Sequence, residues 1–185
     1  MGGKATEIDS WNNATKNGFY VSATDAPDGE WWWGIVSNYV EGLLVQKVWN
    51  NNACGADKFP CSCERSYYVG SGWRPWEWVN PPMQLGVEYR TTERYLGKPV
   101  YVKCFDFGPL PNATMKTSPH GIANVDTCVR CYGSLTSGDK RSLPYAEAGG
   151  RVDCFGDSYG VNMYSANNLS SLTATATVWV TKTTD

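Results

Sequence analysis

The sequence predicts an all-β protein of two consecutive antiparallel domains, each sandwich-like in strand spacing. Three observations carry this. Nineteen Gly and ten Pro break the chain into short segments. Aromatic residues, which favour pleated, half-buried surfaces, make up 14% of it. The last segment alternates with period 2 over ten residues, and no long amphipathic helix, heptad or internal repeat appears. At 185 residues the chain is long enough to bury two small cores.

The elements follow in order. Residues 1–17 are polar and read as a helical turn or a linker, with Ile8 and Trp11 as anchors. Phe19–Thr24 is a strand, ended by the turn residues Asp25-Ala26-Pro27-Asp28-Gly29. Trp31–Tyr39 and Leu43–Trp49 are strands around a short connection. The second carries apolar groups on both faces, which predicts a strand covered on both sides. Asn50–Cys63 is a loop. Glu64–Val69 and Trp73–Val79 form a hairpin about Gly70-Ser71-Gly72. Asn80-Pro81-Pro82-Met83 cannot extend a ladder, because proline lacks the N–H, and it marks the boundary between a domain at 18–80 and one at 84–185.

In the second domain Val87–Tyr95 and Pro99–Phe107 make a hairpin, and Phe107–Pro119 a connection. Ile122–Tyr132 is a strand and Gly133–Arg141 a polar loop. Gly150–Phe155 and Val161–Ser165 are short strands. The last element is the clearest. Leu172, Ala174, Ala176, Val178 and Val180 share one face, while Thr173, Thr175, Thr177, Trp179 and Thr181 share the other. The first set is expected inside and the threonines outside.

Charge excludes several functions. Sixteen basic against eighteen acidic side chains give a net charge of −2 and a pI near 5.4. A nucleic-acid binder would show a basic stripe, and a membrane-surface protein a polybasic run. No apolar stretch approaches the ~20 residues of a spanning helix. The start MGGKATEIDSW lacks the apolar core of a secretion signal. Met1-Gly2-Gly3 reads as an added start, so a longer native chain is expected.

The seven cysteines form an odd set, and most read as small buried hydrophobes kept reduced. Cys54, Cys61 and Cys63 are metal candidates by proximity, and Cys128-Val-Arg-Cys131 has a zinc-like spacing. In an extended strand, however, residues three apart face opposite sides, so Cys128 and Cys131 are expected to diverge. No cofactor is expected.

Several motifs go beyond composition. Gly18-Phe19-Tyr20, Ala26-Pro27, Trp33-Gly34, Val45-Gln46, Arg65-Ser66-Tyr67-Tyr68 and Trp73-Arg74-Pro75-Trp76 make the first domain resemble the knob domain of pyocin-type phage tail fibres. The Asn50–Cys63 loop, with its three cysteines, departs from that pattern. Glu88–Lys103 (EYRTTERYLGKPVYVK), Asp106–Asn112 (DFGPLPN), His120–Val125 (HGIANV) and the ending VTKTTD make the second domain resemble the C-terminal domain that follows such knobs in tail fibres of phages and prophages of gut bacteria. Cys104, Cys128, Cys131 and Cys154 are not part of that resemblance. The resemblance implies a homotrimeric, host-binding, non-enzymatic fibre tip carried on a virion tail fibre, assembled in the bacterial cytoplasm and exposed after release. It makes residues 1–17 a linker or a remnant of the fibre stem. Its implied partners are two further copies of the chain, a bacterial surface glycan or other surface receptor, and upstream fibre or baseplate segments, with no nucleic acid and no membrane insertion.

Chemistry-bearing residues are few. His120 is the only histidine. Any Ser–His–Asp or Cys–His arrangement would have to use it. A turn histidine bonded to backbone is the simpler reading, and three copies on a trimer axis are a weak metal candidate. Glu88 with Glu93, or Asp153 with Asp157, are the pairs a glycosidase would need. Glycan recognition fits better, because sugar rings stack on Trp and Tyr while Asp, Asn and Arg take the hydroxyls. The candidates are Trp31 and Trp32, then Asp139, Arg141 and Tyr145, then Asp157, Tyr159, Asn162 and Tyr164. A tip-borne depolymerase or esterase, and a purely structural trimerising module, stay open as alternatives.

Overall fold

The structure is a computed structural model and describes residues 4–40, 42–50, 61–138, 140–147 and 150–184. The chain folds as two compact units, Met1–Pro82 and Met83–Asp185. Apart from a 3-10 turn at Trp11–Asn13, the regular structure of the described residues is β throughout. No helix among them is long and apolar enough to cross a membrane.

The first unit contains β1 (Thr6–Glu7), β2 (Gly18–Ser22), β3 (Trp32–Val40), β4 (Leu43–Asn50), β5 (Cys61–Tyr68), β6 (Gly72–Trp73) and β7 (Glu77–Trp78). They form a sheet in the order β1-β2-β3-β4-β5-β7, with β6 also on β5. β1 and β2 run parallel, and the other pairs antiparallel. The cross-strand row Tyr20–Gly34–Val48–Cys63 lies on the inner face. Trp32, Val36, Leu44, Val48, Cys61 and Cys63 are buried there.

The layer that covers this face is not a second sheet. It is the 3-10 turn, through Trp11 and Ala14, together with Trp73, Trp76 and Trp78. Of the helical turn and the linker expected here, the structure has the turn, and it belongs to the core through the expected anchor Trp11. Trp11 is fully buried, and its indole N–H donates to the Ser22 carbonyl at 3.1 Å. Ser10 caps the turn by accepting from the Asn12 amide at 3.0 Å.

The outer face of the same sheet is open in the single chain. Phe19, Trp33 and Val45 are exposed on it, and Trp33 stacks on Trp49 with centroids 5.0 Å apart. This corrects the expectation for Leu43–Trp49. β4 is flanked by strands on both edges but covered on one face only.

The second unit is a two-layer sandwich. One layer runs β8 (Glu88–Tyr95), β9 (Lys98–Pro109), β16 (Thr173–Lys182), β11 (Val125–Leu135) and β12 (Ser142–Leu143). The other runs β10 (Met115–Pro119), β15 (Gly160–Ser165), β14 (Gly150–Gly156) and β13 (Tyr145–Glu147). Ala174, Ala176, Val178 and Val180 are fully buried between the layers with Val152, Val161 and Met163, as the alternation predicts. Thr177 and Thr181, expected outside, are buried as well. The reason is lateral: β16 is a central strand between β9 and β11, Trp179 packs on Tyr132, and the Arg130 guanidinium lies 4.5 Å from the Trp179 ring.

β11 runs on to Leu135 and β5 begins at Cys61, both inside expected loops, and two further differences bear on the site. Met115–Pro119, expected as part of a connection, is an edge strand on β15, with Pro119 at its last position where a missing donor is tolerated. In β11 the pairing to β16 shifts between Cys128 and Arg130, which leaves Val129 as an unpaired bulge residue. Cys128 consequently opposes Val180 and Cys131 opposes Val178. Both thiols therefore share the core-facing side, instead of diverging as an unbroken strand would require.

Candidate receptor-binding surface

The four-stranded layer of the second unit presents one face to its core and one outward. The row Lys116–Met163–Cys154 belongs to the core side, where Met163 is fully buried. The neighbouring rows Met115–Tyr164–Asp153 and Thr117–Asn162–Phe155 point the other way. Met115, Phe155 and Tyr164 are all exposed there. Asp153 accepts from Arg151 Nε at 2.7 Å. Next to this pair lies an open depression of about 310 Å³ lined by Pro144, Tyr145, Ala146, Arg151 and Asp153.

The electrostatics leave this pair available. Arg151 is exposed, and its hydrogen bond to Asp153 raises its pKa further. An exposed ion pair of this kind adds little stability, so its groups can turn to a ligand at small cost. Flat apolar rings beside a carboxylate and a guanidinium are what a sugar ring with vicinal hydroxyls would engage.

The structure sorts the sequence candidates. Tyr164 belongs to this surface, whereas Tyr145 pairs with Val152, packs against the core and reaches only the edge of the depression. The Arg141 guanidinium sits 5.2 Å from the Tyr145 ring, so Arg141 joins its margin. Tyr159 is exposed on the turn between β14 and β15. Asp157 holds that turn: Oδ1 accepts from the Tyr159 and Gly160 amides at 2.8 and 2.9 Å, and Oδ2 from Asn162 Nδ2 at 2.7 Å. Those donors keep the Asp157 carboxyl below its ordinary range.

Three candidates are corrected. Asn162 is buried, with its amide nitrogen spent on Asp157 and its carbonyl oxygen accepting from Thr117 Oγ1 at 2.5 Å. Trp32 is fully buried in the first unit, its N–H donated to Asp28 Oδ1 at 2.6 Å and its ring edge-on to Trp78. Trp31 stays exposed one residue earlier, since neighbours along a strand alternate. His120 is buried, Nδ1 accepting from the Ile122 amide at 3.0 Å and Nε2 facing the Asp157 carbonyl at 3.4 Å. Both nitrogens are used, as in the turn-histidine reading, and neither is free for a metal. Asp139 and Cys54 lie outside the described residues.

The remaining metal candidates are also spent. Cys61 is disulfide-bonded, contrary to the expectation of reduced thiols. Cys63 is a buried free thiol whose pKa is pushed far up by desolvation, with Asp28 adding to it, so it offers no thiolate. Among the described residues no cluster of His, Cys, Asp and Glu could hold a metal. The four carboxylates considered for a glycosidase go to four different partners: Glu88 to Lys182, Glu93 to Arg130, Asp153 to Arg151, and Asp157 to its own turn.

Sequence reasoning missed Arg151, Phe155 and Met115. The first two were legible, because Arg151, Asp153 and Phe155 alternate along one strand and must share a face. Met115 was hidden once its segment read as a connection.

Comparison with known proteins adds the following. No known protein-family profile matches the chain, and no curated protein does. Among solved structures, it is similar to a C-terminal fragment of the R1 pyocin fibre of P. aeruginosa at 12% identity and a TM-score of 0.33. That match covers 94% of this chain and 66% of the fragment, so the chain spans just under two thirds of its length. An N-truncated R2-type pyocin tail fibre is similar at 9% identity and a TM-score of 0.33, covering 96% of this chain and 99% of that one.

Proposed function

We propose that this chain is the distal part of a phage or phage-tail-like fibre, attaching the particle to a receptor on the host bacterial surface without catalysis. The favoured receptor is a glycan. The observation that carries this is the outward row of Met115, Tyr164 and Asp153 with Phe155 and Arg151 beside it, a surface with stacking rings and hydroxyl partners and, among the described residues, no converging carboxylate pair. The motifs quoted for the second domain point the same way.

The active form is a homotrimer. The open outer face of the first unit supports this, since a sheet that exposes Phe19, Trp33 and Val45 together leaves apolar surface for another copy to cover. Three weak sites on one particle component gain avidity without any new contact.

The test is a panel of purified bacterial surface polysaccharides, immobilised and incubated with the protein. Retention on at least one polysaccharide, with its chain length unchanged, is expected. Shortened chains would establish a depolymerase instead. No retention on any of them would leave the structural-module reading.

A further inference from the structure

Val129 bulges out of β11 and turns Cys128 and Cys131 to the same side. Across the core, β14 presents Cys154. The sulfurs of Cys131 and Cys154 stand 3.8 Å apart, and both thiols are only partly buried. We propose that Cys131 and Cys154 are a disulfide-forming pair, which a small-molecule disulfide oxidises to a covalent staple between the two layers of the second unit. This inference does not depend on the proposed function.

The pair is chosen by geometry. A disulfide needs about 2.05 Å between sulfurs, so these must close by under 2 Å, within reach of side-chain rotation. Cys128 is placed otherwise. Its thiol points to the Arg130 carbonyl at 3.8 Å and packs against Gly156, where an added Cβ would lie 2.5 Å from the sulfur. Glycine at 156 is what lets β14 pass this close. Cys104 pairs with Thr177 in the sheet ladder.

The chemistry is stepwise exchange. Either sulfur can donate across this contact; with Cys131 as the donor the Cys154 pKa is lowered, so Cys154 is the first thiolate. Burial and that donated bond push Cys131 the other way. The Cys154 thiolate attacks one sulfur of oxidised glutathione, breaking its S–S bond and releasing one glutathione thiolate. Cys131 then gives its proton to water or to the departed thiolate. Its sulfur attacks Cys154 in the mixed disulfide and releases the second glutathione. Two protein thiols lose two electrons, and one glutathione disulfide gains them.

A staple here joins strands 23 positions apart in sequence (154 − 131). Closing such a loop restricts the unfolded chain and favours the folded one. The pair would be reduced where glutathione is reduced and would close in an oxidising exterior.

The experiment treats the folded, full chain with oxidised glutathione, blocks the remaining thiols with iodoacetamide, and only then denatures and digests it with trypsin. Cleavage after Arg130 separates the two cysteines of β11, so Cys128, Cys131 and Cys154 fall on three different peptides. Expected are a linked peptide pair containing Cys131 and Cys154, two fewer titratable thiols, and a melting temperature of the second unit raised in oxidised over reduced protein. Cys131→Ser and Cys154→Ser should each abolish the linked pair and the shift, with circular dichroism showing that they still fold. Cys128→Ser should leave both intact. A linkage through Cys128, or alkylation of both Cys131 and Cys154 after exhaustive oxidation of folded protein, would overturn the proposal.

Discussion

Arg65 donates its Nε–H to Oε1 of Gln46 across 2.8 Å, inside the first unit. Gln46 passes the connection on, its Nε2 donating to the carbonyls of Trp11 and Ala14 at 2.7 and 3.0 Å. The guanidinium lies between two indoles, 4.3 Å from Trp73 and 4.2 Å from Trp76. Burial pulls its pKa down to about 10, with Asp25 opposing, so it remains charged at neutral pH. One side chain thus ties β5, β4, the amino-terminal turn and the Trp-rich hairpin together.

Arg65→Ala should therefore destabilise the first unit by about 3 kcal/mol, the sum of a desolvated cation–π contact and a charged hydrogen bond. Arg65→Lys should recover little of it, because an ammonium cannot stack between two rings and reach Gln46 together. Denaturant unfolding followed by tryptophan fluorescence measures both.

Adjacent tryptophans should behave oppositely. Trp32→Ala empties a fully buried site and should cost about 3–5 kcal/mol. Trp31→Ala removes an exposed ring and should change stability by about 0.5 kcal/mol or less. The same unfolding curves give both numbers.

The sequence made part of this plain and hid part of it. β16 was legible because ten residues alternate strictly and a central strand tolerates no slip. The bulge at Val129 was not, since its immediate neighbours Thr127, Cys128, Arg130, Cys131 and Tyr132 include no Gly, Pro or Asn to mark it. The parity argument for Cys128 and Cys131 failed on that single extra residue. Asn162 was misjudged for another reason. It shares an outward row with Phe155, yet the Asp157 turn folds over it, and such a lid depends on side-chain bonds that spacing does not encode.

Acid should loosen the second unit. Burial of His120 holds its pKa below the ordinary 6.5, with the Asp157 carbonyl and carboxylate and Glu88 opposing and Lys103 assisting. The unfolded chain then binds the proton more readily than the folded one. The contribution of His120 is thus complete above pH 6.5 and declines as pH falls through its lower folded value. The melting temperature should drop from pH 7.5 to pH 5, as scanning calorimetry would show, and His120→Gln should flatten that slope. Asp157, also held low, adds a second loss below its ordinary value of 3.8.

The outer face of the first unit predicts the assembly. The wild-type chain should scatter light as three copies of 20.4 kDa at micromolar concentration. Val45→Glu with Phe19→Glu should reduce this to one copy while the circular dichroism spectrum keeps its β signature, because both side chains are already exposed in the single chain. A wild-type monomer would remove the trimer from the account.

The central claim is that the outer face of the four-stranded layer grips the host. The most direct measurement is binding of the wild-type chain and of Tyr164→Ala/Phe155→Ala to an array of bacterial surface glycans. The account predicts saturable binding by the wild type and a loss of tenfold or more in the variant, at unchanged thermal stability. Equal binding by the two proteins would contradict it.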